Sequence, residues 1–136
     1  MTLTFNKFNK FALNIGKGAF NLGTDTLKVA LSNTAPSATN EKLADITQIS
    51  YTNLSSTTIT TTSFTETSGV ASLVLADLKL TASGGSVAPF RYVVVYSDTA
   101  TNKELIGYVD IGSSITLGDT DEYNIKFGAT EAITIQ

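Results

Sequence analysis

Apolar and polar positions change period once along this chain. Between Phe5 and Ala19 the residues Phe5, Phe8, Ala12, Ile15 and Ala19 recur at spacings of three and four, with Lys7, Lys10, Asn14 and Lys17 off that stripe. This is the spacing of one helical face. Thr4 stands where an N-cap belongs. Gly16 and Gly18 each cost about 1 kcal/mol against Ala inside a helix, so the pattern predicts an end near Ile15. The segment reads as a helix on the edge of a sheet, or as an arm that docks on a neighbouring subunit through Phe5, Phe8, Phe11 and Ile15.

From Thr26 the period becomes two. Leu27, Val29 and Leu31 alternate with Lys28, Ala30 and Ser32 in a strand that Pro36 ends. Residues 33–50 hold too many turn formers for one regular element and read as a surface loop, with a short helix or strand possible over 43–49. Ser55 to Phe64 is a β-branched polar run of the kind that suits an exposed edge strand. Val70 to Ala82 reads as one half-buried strand with Val74, Ala76, Leu78, Leu80 and Ala82 on its apolar face. After the turn Ser83–Ser86, Phe90 to Ser97 includes Val93, Val94 and Val95 with no polar face, which places it centrally in the core. Glu104 to Ile111 follows. Tyr123 to Phe127 and Ala132 to Ile135 close the chain around a turn at Gly128–Thr130.

A symmetric hairpin between Phe90–Ser97 and Glu104–Ile111 sets Val95 opposite Ile106 and Val93 opposite Tyr108. It also sets Asp98 against Lys103 and Arg91 against Asp110. Both ion pairs fall at opposed positions without adjustment, so Arg91, the only arginine, reads as structural. The count is about seven strands behind one helix. That predicts a mainly β fold, an antiparallel sandwich or small barrel, organised as an N-terminal helix or arm over residues 1–22 and a single β-sandwich domain over 23–136.

Composition narrows the function. The 136 residues suffice for one domain, and a domain of this size buries roughly two-thirds of its unfolded surface. A net charge of −3 argues against nucleic acid as a partner, because phosphate binding needs clustered Lys and Arg. Charged residues make up 15% of the chain, against roughly 25% in typical soluble domains. Hydroxyl side chains must therefore cover much of the surface, which suits strands and also suits close packing against other subunits. Lysines interrupt the apolar residues of the N-terminus, and no run of about 18 apolar residues follows, so neither a signal peptide nor a membrane partner is expected.

With neither His nor Cys, Ser-His and Cys-His catalysis and imidazole or thiolate metal sites are excluded. Asp119, Asp121 and Glu122 form the densest carboxylate group, but they lack the ligand spacing of a calcium loop and read as a solvated turn. A glycosidase needs two carboxylates about 5 to 10 Å apart. Asp77 and Asp110 are the conceivable pair, yet Asp110 already has Arg91. Ser83-Gly84-Gly85-Ser86 has no following Lys or helix and is a turn, not a phosphate loop. Tyr51 is the best position for an exposed ring that stacks on a sugar. The expectation is no enzyme, no cofactor and no metal.

Asn21-Leu22-Gly23-Thr24-Asp25-Thr26-Leu27-Lys28-Val29-Ala30-Leu31 with Asn33-Thr34-Ala35-Pro36 resembles a family of small tailed-bacteriophage structural proteins. So do Thr81 to Ser86 followed by Pro89-Phe90-Arg91-Tyr92-Val93-Val94, and Asp98 to Lys103 leading to Leu105-Ile106-Gly107. The similarity spans most of the chain and is least distinctive in the Thr-rich middle. It implies a virion component assembled in the host cytoplasm. The first expectation is a capsid decoration or cement protein on the outer surface of the head, bound to the major capsid protein as a homo-oligomer, by analogy a trimer. The alternatives are a head- or tail-fibre module that recognises host glycans or peptides through the 33–62 region, and a tail or neck component.

Overall fold

The computed structural model describes residues 5–127 and 133–135. Among them are ten strands and one short α-helix: β1 (Phe5–Lys7), α1 (Phe11–Gly16), β2 (Leu27–Ser32), β3 (Thr58–Ile59), β4 (Thr61–Thr67), β5 (Val70–Leu75), β6 (Leu78–Thr81), β7 (Phe90–Ser97), β8 (Leu105–Ile115), β9 (Glu122–Ile125) and β10 (Ile133–Ile135). A single 3-10 turn, Leu43–Asp45, interrupts the long connection after β2. All pairings are antiparallel, in sheets ordered β1-β8-β7-β2-β3, β10-β5-β4 and β6-β9. The fold is mainly β and sandwich-like, and it is not a closed barrel.

β7 lies in the middle of the five-stranded sheet, and its run of valines covers both faces. Val93 and Val95 join Leu27, Val29, Leu31, Ile106 and Val109 in the main core, together with Leu73, Leu75, Leu80 and Ile125 from the other two sheets. Val94 and Tyr96 point the other way, into a smaller cluster with Phe8, Ala30, Ile46 and Leu105. The 33–50 connection, expected as a surface loop, thus carries Ile46 onto the second face of the sheet. A strand without a polar face needs cover on both sides, and this loop supplies part of it.

The N-terminal segment differs most from its sequence pattern. Phe5–Lys7 is an edge strand, Phe5 standing opposite Val109 and Lys7 opposite Gly107. Helix begins only at Phe11. Phe8 and Phe11 are 3% and 2% exposed, while Phe5 and Ile15 are half-buried against the main core. Phe8 and Phe11, two of the four residues named for an arm, are covered by their own chain, and Phe5 and Ile15 are partly covered by it. Phe5 and Phe8 fit a three-residue spacing by coincidence, one lying on a strand and the other in the link to the helix. The N-cap expected at Thr4 lies outside the described residues.

Helix α1 ends where its glycines predict. Gly18 takes φ +79°, which an L side chain adopts only with strain. Its N–H bonds Ile15 O at 3.0 Å, and Ala19 N–H bonds Asn14 O at 2.9 Å, the paired contacts of a Schellman stop.

Two expected strands divide. Val70 to Ala82 breaks at Ala76–Asp77 into β5 and β6, which belong to different sheets. Leu73 and Leu75 are buried before the break, Leu80 and Ala82 after it, so the inward parity shifts by one and Val74 is only half-buried. The Thr-rich run divides at Thr60 into β3 and β4, each the edge of its sheet. These two divisions and β1 account for the difference between seven strands and ten. The turn expected at Gly128–Thr130 lies outside the described residues.

Candidate functional site

The β7–β8 hairpin carries the ion pairs, in a register other than the symmetric one. Tyr96 stands opposite Leu105, but Val95 meets Gly107, Val93 meets Val109 and Tyr92 meets Asp110. Ile106 is an extra residue on β8, so the pairs from Val95 to Tyr92 move by one and the expected Val95–Ile106 and Val93–Tyr108 oppositions do not form; a second irregularity beyond Tyr92 sets Phe90 opposite Ile115. Arg91 still reaches Asp110, Nε to Oδ1 at 2.8 Å and Nη2 to Oδ2 at 3.1 Å. Its guanidinium also lies 5.3 Å from the centre of the Tyr92 ring. Asp98 pairs with Lys103 at 2.5 Å and with Lys28 at 3.6 Å.

These contacts set the charge states. The Arg91 guanidinium, helped by Gly112 N–H, holds the Asp110 carboxyl below its ordinary value, and Lys103 does the same for Asp98. Asp45 is depressed by the backbone N–H groups of Glu41 and Lys42. Burial, with the Asp98 charge added, pushes the Tyr96 phenol up to about 12. A carboxylate with a depressed folded pKa contributes stability above its unfolded value and loses it as the pH falls through the folded one. The thermal midpoint is therefore expected to stay level from neutral pH to about 5 and to fall below about 4. Asp110→Lys should lower that midpoint more than Asp119→Lys, read by circular dichroism, because it alone sets two cations against each other.

The acidic turn holds its carboxylates apart. Asp119 Oδ1 accepts from Gly84 N at 3.1 Å, Asp121 Oδ2 from Gly118 N at 2.9 Å, and Glu122 pairs with Lys79 at 2.9 Å. Each is turned to a separate partner. No group of three or more acidic side chains suited to a metal occurs among the described residues. Asp77 is exposed in the break between β5 and β6, on neither neighbour of Asp110's strand. Tyr51 is not a free ring: its hydroxyl donates to Gln48 Oε1 at 2.6 Å, accepts from Leu31 N at 3.0 Å, and burial raises its pKa.

A polar cleft of about 400 Å³ lies where the end of α1 meets the 41–42 and 101–104 segments, with Asn14, Lys17, Glu41, Lys42, Asn102 and Glu104 on its walls. The sequence pattern put Asn14 on the solvent side. It is instead 4% exposed, on the same helical face as Phe11 and Ile15, and its Nδ2 lies outside hydrogen-bond distance of any acceptor while close enough to Glu41 to help hold that carboxyl below its ordinary value. Glu104 is buried beside it, Oε1 accepting from Asn102 N at 2.7 Å. Glu41 pairs with Lys10 at 3.3 Å, which lowers its pKa. The burial of Asn14 follows from the helix phase, which the sequence pattern misplaces by counting Phe5 and Phe8 as helical. Asn14→Asp would bury a carboxylate near two others and is expected to cost about 2 kcal/mol at neutral pH. Chemical denaturation should show that deficit shrinking as the pH falls toward about 4 and absent below it, because burial and the neighbouring carboxylates raise the new group's folded pKa above its ordinary value.

The β4–β5 hairpin is the other prominent surface. β4 reads Thr-Thr-Ser-Phe-Thr-Glu-Thr, is exposed from Phe64 onward, and pairs on one side only. Phe64, 38% exposed, and Leu13, 51%, are the large apolar side chains most open to solvent among the described residues.

Together these features define an antiparallel β-sandwich-like fold in which several carboxylates are held by lysines, by Arg91 or by backbone N–H groups and the open β4 edge is rich in hydroxyls. No protein-family model, curated protein or solved structure matches the chain.

Proposed function

We propose that this chain is a capsid decoration, or cement, protein of a tailed bacteriophage, a homo-oligomer bound to the major capsid protein on the outer surface of the head and stabilising the lattice there. The observation that carries the reading is the β4–β5 hairpin, an open seven-residue edge with a single charge, Glu66. Such an edge offers backbone groups and short hydroxyls to a neighbouring subunit at little desolvation cost. The sequence resemblance supports the virion context. The absence of His and Cys and the dispersal of the carboxylates fit a binding role without turnover.

The test is to add purified protein to expanded empty capsids and follow binding and heat resistance. Saturable binding with a raised temperature of capsid disruption supports decoration; no binding and no rise overturns it. The polar cleft, to which Glu41 and Lys42 contribute, favours the second reading, a fibre module that recognises a host glycan or peptide. That reading expects binding to host cells with no capsid present.

A further inference from the structure

We propose that the cleft at the end of α1 binds one uronic-acid unit of an acidic saccharide, its hydroxyls taken by Asn14, Glu41 and Glu104 and its carboxylate by Lys17 and Lys42. The inference rests on the second reading above, glycan recognition, and names the sugar class and the residues that select it.

The inner part of the cleft asks for hydroxyl groups. Asn14 Nδ2 is buried and outside hydrogen-bond distance of any acceptor, yet it lies near the Glu41 carboxylate. A buried donor left without an acceptor carries its full desolvation penalty. A hydroxyl set between the two side chains accepts from the amide and donates to the carboxylate through one oxygen. The backbone of Glu41 is fixed, its N–H donating to Asp45 Oδ2 at 3.0 Å and its carbonyl accepting from Leu105 N at 2.9 Å. The half-buried Glu41 side chain pivots on that anchor to admit the group. Glu104 is a second buried carboxylate on the same wall, bonded to Asn102 N and in no ion pair among the described residues. Further hydroxyl donors would stabilise it. Three such groups converge on a space of about 400 Å³, at the lower end of the roughly 300 to 1,000 Å³ of small-molecule sites. A ring that carries several hydroxyls matches both the size and the chemistry.

Charge then selects an acid. Lys10, Lys28, Lys79 and Lys103 are each paired with a carboxylate, whereas Lys17 and Lys42 make no ion pair among the described residues. Both stand on the cleft, one at the end of α1 and the other on the facing loop. With Lys10, which is held on Glu41, they set three cations against Glu41 and Glu104. The cleft is therefore net positive within a chain of net charge −3. Lys10, by direct contact, and Lys17, from further off, both hold the Glu41 carboxyl down. No aromatic ring lines the walls, so a neutral sugar finds no face to stack on. A carboxylate on the ring instead meets two unpaired ammonium groups in charge-assisted hydrogen bonds. Ala19 is the one apolar side chain on the walls, which leaves no pocket for the side chains of a peptide.

Nuclear magnetic resonance titration of the full chain with trigalacturonate, triglucuronate and trimannuronate, each beside its methyl ester, tests this. The expected result is a Kd of about 1 mM or below for one of the acids and binding at least about tenfold weaker for its ester. The side-chain amide signals of Asn14 should move on binding. Lys17→Gln and Lys42→Gln change exposed side chains, which leaves folding intact. Each should weaken the acid by about threefold to tenfold, and added salt should weaken it further. Lys126→Gln, which removes the same charge outside the cleft, should leave the Kd unchanged. Absence of binding by every acid at about 10 mM overturns the proposal, and the broader glycan reading then stands or falls separately on binding to host cells. An ester that binds as tightly as its acid overturns the acidic class and keeps that reading. Tri-aspartate that binds as tightly as the sugar acid overturns the saccharide itself, as do lysine variants with unchanged affinity.

Discussion

Deleting residues 1–20 is expected to abolish cooperative unfolding altogether and not to trim an appendage from an intact domain. The deletion removes strand β1 from the side of β8, leaving the β8 edge unpaired over Gly107–Val109. It also removes Phe8 and Phe11, both almost fully buried and each contributing roughly 1.5 to 3 kcal/mol by burial alone. Phe8 belongs to the smaller cluster and Phe11 to the main one, so both faces of the five-stranded sheet are opened at once. Against a typical net stability of about 5 to 15 kcal/mol, losses on both faces together with a lost strand leave little. Chemical denaturation followed by near-ultraviolet circular dichroism reads the outcome. A truncated chain with a sharp, native-like transition would return the segment to the status of an arm and contradict the packing described above.

Replacing Gly107 by Val should destabilise the fold by about 2 to 4 kcal/mol and release β1 first. A Cβ at this position would run into the Phe5 ring, 2.5 Å from Cζ, and would stand 2.6 Å from the Asn6 carbonyl oxygen. The ring can swing aside; the carbonyl cannot move without the strand. The cost therefore combines overpacking with the loss of the contacts Phe5 makes on the main core. Hydrogen exchange should show the Phe5–Lys7 amides losing protection well before those of β7. Phe5→Ala in the same chain relieves the ring clash and leaves the carbonyl one, so the double variant should cost less than the sum of the singles. Strict additivity would show that ring and glycine do not share a contact. Gly16→Ala, with open space around it and ordinary helical φ, should be neutral or slightly stabilising.

These two results concern the part of the chain that sequence patterns describe least well. A strand of three residues carries too few positions for a period of two to stand out, and Phe5 and Phe8 happen to extend the helical spacing backward. That false start rotated the helix in the reading and put Asn14 on the wrong side. Gly16 and Gly18, by contrast, act through backbone conformation alone, and the helix ends beside them whatever it packs on.

The strands follow the same logic. Val93, Val94 and Val95 have no polar alternate, so burial on both faces was legible from residues alone. Leu73, Leu75, Leu78 and Leu80 show a spacing of three in the middle, which is the mark of a parity change, yet the apolar density hides it. The hairpin charges were legible because Arg91 and Asp110 have long or forked side chains that reach each other across a one-residue slip. The bulge at Ile106 has no local signature, since Leu-Ile-Gly fits either register. The cleft around Asn14 depends on three segments meeting, and no spacing along the chain encodes that.

The edge of β4 links the fold to the proposed function. Its exposure was legible in the Thr-rich composition, whereas its outward hydrogen-bonding residues follow only from the left-handed turn at Ser68–Gly69. The proposed function sets that hydroxyl-rich edge against a capsid subunit.

The central claim is tested most directly by cryo-electron microscopy of the intact particle that carries this protein. The account predicts sandwich-shaped density in regular array on the outer face of the head, with the β4–β5 hairpin at a subunit contact. Density confined to the tail or the fibre tips, with a bare capsid lattice, would contradict it.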